Sequence, residues 1–391
     1  MFRKFTIKKV AFSSFVQLPS GDTDLRRYDG FYLIFGFRFN KNTSMNIKNL
    51  IRKNIKNLAP YASARHEFTG EASVFLDANE NPFDTGFNRY PDPLQHAVKE
   101  RISKIKNIGT EHIFLGNGSD EAIDLLMRIF CEPRVDEIMI LPPTYGMYQV
   151  SASISDIGIK TVELTHDFQP YVDAILAISD EKTKILFLCS PNNPTANSFE
   201  LETMEHLVKH FKGIVVIDEA YIDFAAQESC MNWIGKYPNL VILQTFSKAW
   251  GLAGIRLGMA FASIEIIDLL NKVKPPYNIN QLTQQVALQS LENQGQTQTY
   301  IKEILKERLL LKNELEALKM VLKTYPTDAN FILAKFENPR KVYDFLATKG
   351  VIVRDRSKVV LCDDCLRITV GTKAENELLL RELKNFRHRF S

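Results

Sequence analysis

Lys248 follows an apolar run, residues 240–243, and opens a glycine-punctuated segment that carries Arg256 eight residues further on. A lysine at the end of a buried strand is costly unless it is used. Desolvation favours its neutral amine, a nucleophile able to form a Schiff base with a carbonyl. Other apolar runs also end on polar residues. Residues 137–141 lead into Pro142-Pro143-Thr144-Tyr145, residues 185–188 into Ser190-Pro191-Asn192-Asn193-Pro194-Thr195, and residues 214–217 into Asp218-Glu219-Ala220-Tyr221. Residues 112–115 lead into Gly116-Asn117-Gly118-Ser119-Asp120, and Ile123, Leu126, Met127 and Phe130 then recur at helical spacing. A strand, a glycine turn and a helix start in that order aim backbone N–H groups and a helix dipole at an anion.

Short, nearly continuous apolar runs are the pattern of strands buried on both faces of a parallel sheet, with helical stretches such as residues 201–211 between them. In open α/β sheets, ligands sit beyond the carboxyl ends of the strands, so Tyr145, Asn193, Asp218, Tyr221 and Lys248 are expected to converge on one crevice. A pyridine ring bearing an aldehyde and a phosphate would use all of them. Lys248 takes the aldehyde, Asp218 keeps the ring nitrogen protonated, and Tyr221 and Asn193 hydrogen-bond the phenolic oxygen. Tyr145 offers a face to stack on. The turn at Ser119 and Asp120, with Ser247 and Arg256, suits the phosphate. Each residue alone has an ordinary alternative: Asp218 a helix cap, Tyr221 core filler, Asn193 a turn residue before proline, Arg256 a surface ion-pair partner. Their joint placement at strand ends is what favours the cofactor.

The rest of the composition excludes competing classes. In 391 residues, 49 Lys and Arg against 46 Asp and Glu leave a net charge of +3, so no nucleic-acid partner is implied. No apolar run approaches the roughly 18 residues of a membrane span. Five cysteines suit a reducing cytoplasm. Cys362 and Cys365 form a CxxC without a second pair, and His206 and His210 lack the glutamate of a zinc-protease helix, so no metal is expected.

Residues 1–44 carry eight Lys or Arg and three Asp, with no clean periodicity. They lack a secretory h-region, and a transit peptide is one reading. The preferred expectation is upstream sequence translated ahead of Met45. Residues 45–76 are expected to form an arm and a helix, with apolar residues at 47, 50, 51, 55 and 58 in helical register. Residues 77–285 then make a large domain and residues 286–391 a small one. Within the small domain we expect a charged helix over residues 299–320, strands at 330–334, 351–354 and 366–370, and a helix at 341–348. A final helix starts at the capping box Thr372 to Glu375. The expected fold class is α/β: a large domain with a mostly parallel central sheet flanked by helices, plus a smaller α+β domain.

The motifs Pro60-Tyr61-Ala62-Ser63-Ala64-Arg65, Asp77-Ala78-Asn79-Glu80-Asn81-Pro82, Arg89-Tyr90-Pro91, Gly118-Ser119-Asp120-Glu121, Pro142 to Tyr148, Ser190 to Thr195, Asp218 to Tyr221, Phe246-Ser247-Lys248-Ala249 and the segment 366–371 carry a resemblance. The chain resembles the fold-type I pyridoxal-phosphate aminotransferases, and among them the histidinol-phosphate aminotransferase family. That resemblance implies pyridoxal 5'-phosphate in Schiff-base linkage to Lys248, and Asp218 on its ring nitrogen. It also implies Asn193 and Tyr221 on the ring oxygen, and a cytoplasmic homodimer in which Tyr90 reaches the partner subunit's cofactor phosphate. The implied substrates are glutamate, 2-oxoglutarate and histidinol phosphate, in histidine biosynthesis. Carboxylate and phosphate must then share one anion site, for which Tyr61, Arg65, Tyr277, Arg354 and Arg367 are the candidates. The family usually has glycine where this chain has Ala196, which is tolerable if Ala196 keeps a negative φ. Alternative readings are an aromatic amino acid aminotransferase, a threonine-phosphate decarboxylase and a cofactor-binding regulator without turnover.

Overall fold

The computed structural model describes residues 26–28, 31–33, 45–60 and 73–390. The chain divides into two units, Met1–Ser44 and Met45–Ser391. In the first, β1 (Arg26–Tyr28) and β2 (Phe31–Leu33) pair as an antiparallel hairpin. The expectations for the rest of that segment lie outside the described residues.

The second unit is built on a seven-stranded sheet of β3 (Ile113–Asn117), β4 (Glu137–Ile140), β5 (Gly158–Thr161), β6 (Thr183–Cys189), β7 (Ile214–Asp218), β8 (Leu240–Thr245) and β9 (Leu257–Ala262). The spatial order is β3-β9-β8-β7-β6-β4-β5. The four pairings among β4 to β8 are parallel, whereas β9 runs antiparallel to both β3 and β8. Residues 112–115, expected to join a parallel sheet, are thus corrected to an antiparallel edge, because β9 reverses direction after the Lys248 segment. β5 and β9 were not anticipated, since their runs are short or interrupted by glycine and lysine.

Alternation along each strand feeds two cores. Leu186, Leu188, Val215, Ile217, Leu240 and Ile242 face one layer, and Ile185, Phe187, Ile214, Val216, Val241 and Leu243 face the other. Helices cover both. Ser119–Phe130 and Ile264–Val273 pack on the second core, and Leu201–His210 buries Met204, Leu207 and Val208 in the first.

A smaller antiparallel sheet has the order β10 (Val321–Thr324), β11 (Phe331–Phe336), β13 (Cys365–Thr369), β12 (Arg354–Asp355). Helices Pro339–Thr348 and Lys373–Phe390, with Leu311 and Leu315 of the long helix Gln294–Glu316, close its core. The capping box forms: the Thr372 N–H donates to Glu375 Oε2 at 2.7 Å and the Glu375 N–H to Thr372 Oγ1 at 3.4 Å. The large mixed sheet flanked by helices and the small antiparallel sheet agree with the expected fold class.

Three local expectations are corrected. The helix expected over residues 46–58 is a 3-10 turn, Ile47–Asn49, and one α turn, Lys53–Lys56. It breaks at Arg52, where the backbone is extended and the N–H donates to Ile129 O while the guanidinium pairs with Glu132. The strand expected at 351–354 shrinks to Arg354–Asp355, because the Val351 N–H turns back to Leu346 O at the preceding helix end. Ala196 has φ 72, not a negative value. It is fully buried and held by a hydrogen bond from its N–H to Asn192 O and one from the Asp328 N–H to its carbonyl.

Candidate active site

A cleft at the carboxyl ends of β6, β7 and β8 is lined by Gly118, Ser119, Asp120, Tyr145, Cys189, Asn193, Asp218, Ala220, Tyr221, Thr245, Ser247, Lys248 and Arg256. Nine residues singled out from sequence therefore meet in one place. Asp218 ends β7 with its carboxylate buried, and pairs in register with Cys189 and Leu243 on either side. Burial pushes its pKa up to about 6, against hydrogen bonds from the Tyr148 hydroxyl (2.7 Å, to Oδ2) and the Ala220 N–H (3.1 Å, to Oδ1).

Lys248 stays open to solvent. Its Nζ lies 5.6 Å from the centre of the Tyr221 ring. The protein around the ammonium, and then the charge of Arg367, push its pKa down, while Asp218 acts in the opposite direction. The shift is in the direction of the neutral amine that nucleophilic or base chemistry requires. Tyr221 stands 7% exposed, and burial raises its phenol pKa. The Asn193 side-chain oxygen accepts from Arg367 Nη1 at 2.6 Å, which turns its amide nitrogen toward the Tyr221 hydroxyl at 3.4 Å.

The opposite end is an anion cradle. Helix Ser119–Phe130 starts without a side-chain cap, leaving its first N–H groups to the cleft. The loop before it fits because of two glycines. A Cβ on Gly258 would lie 2.1 Å from Ser119 N, and Gly118 has φ 71 with its missing Cβ 2.9 Å from Arg256 Nη2. Arg256 O accepts from the Gly118 N–H at 2.8 Å. Its guanidinium meets Ser247 Oγ at 3.5 Å and Asp120 Oδ2 at 3.7 Å. Asp120 also accepts from the Tyr145 hydroxyl at 3.2 Å, so it orients both Tyr145 and Arg256. Behind the loop, Glu121 Oε2 accepts from the Asn117 N–H (2.5 Å) and from Asn278 Nδ2 (3.1 Å), and Asn278 Oδ1 accepts from Lys274 Nζ (2.9 Å).

An anion cradle at one end, a buried carboxylate at the other, and an amine with two hydrogen-bonding groups between them fit a pyridine ring carrying a phosphate and an aldehyde. The family model for aminotransferase class I and II matches residues 73–383. The histidinol-phosphate aminotransferase of Cytophaga hutchinsonii is 54% identical over 347 residues, 88% of this chain and 100% of the relative. That of Flavobacterium johnsoniae is 53% identical over 345 residues, 87% of this chain and 99% of its own. The chain belongs to the class I and II aminotransferases, with the histidinol-phosphate aminotransferases. The crystal structure of that enzyme from Clostridium acetobutylicum superposes with a TM-score of 0.72 at 25% identity, covering 78% of this chain and 92% of the other. The Sinorhizobium meliloti enzyme, crystallised with pyridoxal-5'-phosphate, shares the fold at a TM-score of 0.72 and 20% identity over 78% of this chain and 84% of its own.

Of the other expected site residues, Tyr90, Tyr277, Arg354 and Arg367 are not among those lining this cleft. Tyr61 and Arg65 are outside the described residues. The rings of Tyr90 and Tyr277 stack at 4.4 Å and line a separate hollow with Phe87, Arg89 and Leu282. Arg367 reaches the cleft through Asn193, with its guanidinium 5.2 Å from the Phe331 ring centre. Arg354 is exposed and directly opposite Arg367 in the small sheet. Sequence reasoning gave no role to Tyr148, which is fully buried and stacked on Phe187 at 4.4 Å. The available signal was its place three residues after Tyr145, where a helix start turns it toward the strand ends. It also missed Arg356, whose signal was a second arginine two residues after Arg354, on the same face of an extended segment.

Proposed function

We propose that this chain transfers the amino group between glutamate/2-oxoglutarate and histidinol phosphate/imidazole acetol phosphate, with pyridoxal 5'-phosphate as cofactor, in histidine biosynthesis. The observation that carries this reading is a cleft holding Lys248, Asp218 and Arg256 together in a chain 54% identical to a histidinol-phosphate aminotransferase over that relative's full length.

The cofactor, when bound, supplies a carbonyl carbon that carries nitrogen and a ring that accepts electrons. Ser119, Ser247 and Arg256 hold its phosphate. The Asp218 carboxylate keeps a proton on the ring nitrogen, and the Tyr148 hydroxyl holds that carboxylate in place. Asn193 and Tyr221 hydrogen-bond the ring oxygen, with Arg367 fixing the orientation of the Asn193 amide. Tyr145, tied to Asp120, would offer its face for the ring to stack on. Lys248 Nζ would take a proton from the substrate Cα and later give it up, acting as base and then as acid. Arg367 and Arg354 receive the substrate carboxylate or phosphate. Tyr61 and Arg65 are the remaining candidates for that anion site.

The working unit in this proposal is a cytoplasmic homodimer. The exposed apolar side chains Val74, Leu76, Phe83, Phe87, Tyr90 and Leu282 support a subunit contact there, with Tyr90 reaching the partner's cofactor phosphate. Residues 77–285 act as the cofactor domain and 286–391 as the smaller domain that carries the arginines. Among the described residues, no helix is long and apolar enough to cross a membrane.

A spectral titration with histidinol phosphate tests the assignment. Wild type is expected to change its cofactor absorbance and to form glutamate from 2-oxoglutarate, and Lys248→Ala to do neither. CO₂ release from threonine phosphate, or turnover of aromatic amino acids with none of histidinol phosphate, would replace this reading.

A further inference from the structure

Arg356 has no role in the site as drawn, yet its surroundings are unusual. Arg354 sits opposite Arg367 in the β12–β13 ladder, and the Arg356 N–H extends that ladder by donating to Cys365 O at 2.9 Å. Alternation therefore returns Arg356 to the face shared by Arg354 and Arg367. The three guanidinium groups are near enough to oppose one another. Burial, then Arg367, then Arg354 lower the pKa of Arg356, while Cys362 and Tyr221 act the other way. Burial is also the main cause lowering Arg367, with Arg354 adding to it and Tyr221 opposing.

Among the described residues, no carboxylate pairs with any of the three. The Nε atoms of Arg356 and Arg367 are buried without a hydrogen-bond partner. Positive charge gathered without a counterion, with donors left open, is arranged for an anion that arrives from outside. Arg367 alone, fixed by Asn193 and offering a planar fork, is enough for one carboxylate. A phosphate ester carries close to two charges and three terminal oxygens, which demand more donors than one fork provides.

We propose that Arg356 is a specificity-determining residue: with Arg354 and Arg367 it forms a three-guanidinium site that favours a phosphate ester over a carboxylate. This rests on the aminotransferase reading, in which one anion site serves both substrates.

The test is Arg356→Gln and Arg356→Lys in the holoenzyme, with the glutamate and histidinol phosphate half-reactions followed separately by cofactor absorbance. Arg356→Gln is expected to raise the KM for histidinol phosphate about tenfold, the scale of one lost charged hydrogen bond, with kcat and the glutamate half-reaction changed less than about twofold. Arg356→Lys falls between Gln and wild type, and carries the same test if the Gln variant does not fold. Equal rises for both substrates, or no rise for either, overturn the proposal. Calorimetry of inorganic phosphate binding to wild type and Arg356→Gln holoenzyme separates this proposal from the reading beneath it. A wild type inactive on histidinol phosphate sinks the aminotransferase reading. Phosphate binding unaffected by Arg356→Gln sinks the role of Arg356.

Discussion

The Lys248 cleft and the arginine face of the small sheet treat charge in opposite ways. In the cleft, Asp218 is held by Tyr148 and the Ala220 N–H, and Arg256 by Ser247 and Asp120. On the arginine face, Arg354, Arg356 and Arg367 have no carboxylate among the described residues, and two Nε donors are left open. A site whose ligand stays bound can afford internal partners that fix geometry. A site that must accept and release two different anions keeps its charges available, because any internal counterion would have to be displaced at each exchange.

The harshest way to break this contrast is to remove the amine of the cleft. Lys248→Ala is expected to lower kcat by about 10³-fold or more, within or beyond the range for loss of a positioned acid–base group, as read by 2-oxoglutarate-dependent turnover. A smaller loss would mean that another group moves the proton.

Tyr148→Phe sharpens the comparison, since it deletes an internal partner while leaving the arginine face alone. Removing a hydrogen bond to a buried carboxylate is expected to weaken pyridoxal phosphate binding about tenfold at neutral pH. The pH dependence has a definite sign. Asp218 must be ionised to hold a protonated ring nitrogen, and its pKa of about 6 means that cofactor affinity falls as pH drops through that value. The Tyr148 hydrogen bond acts to lower that pKa, so the acid limb should begin at higher pH in Tyr148→Phe. Dissociation constants measured by fluorescence between about pH 5 and 8 would reveal the displacement, and an unshifted limb would remove Tyr148 from the account.

Ala196→Gly relieves a left-handed backbone that costs a residue with a Cβ about 1–2 kcal/mol. Glycine's larger unfolded-state entropy offsets part of this, so a gain of about 1 kcal/mol is expected in denaturant unfolding, with both half-reactions unchanged. A last substitution serves as a control remote from the cleft and the arginine face. Thr372→Ala should cost about 1 kcal/mol through loss of the cap and alter the KM for neither substrate.

Much of the cleft was legible because its chemistry is written at strand ends. A buried run that stops on Asp218, Asn193 or Lys248 fixes both the element and the side of the sheet on which its polar group emerges. β9 was not legible, being a run with a glycine near its start that pairs only because the chain reverses after Lys248. The positive φ of Ala196 was equally hidden, since it is imposed by Asn192 and Asp328, the latter 132 residues further along. The break at Arg52 likewise depends on Glu132, 80 residues away.

By itself, the sequence determined the α/β class, the glycine turn before Ser119, the capped final helix and the set of residues a pyridine phosphate would need. These follow from local periodicity, turn chemistry and the functional groups available at strand ends. Only the tertiary structure decided that Tyr148 supports Asp218, that Arg367 orients Asn193 from a different sheet, and that Arg356 joins Arg354 and Arg367 on one face without a counterion. Those relations depend on strand register and on burial across distant segments, and a charge shows itself as uncompensated only once all its neighbours are in place.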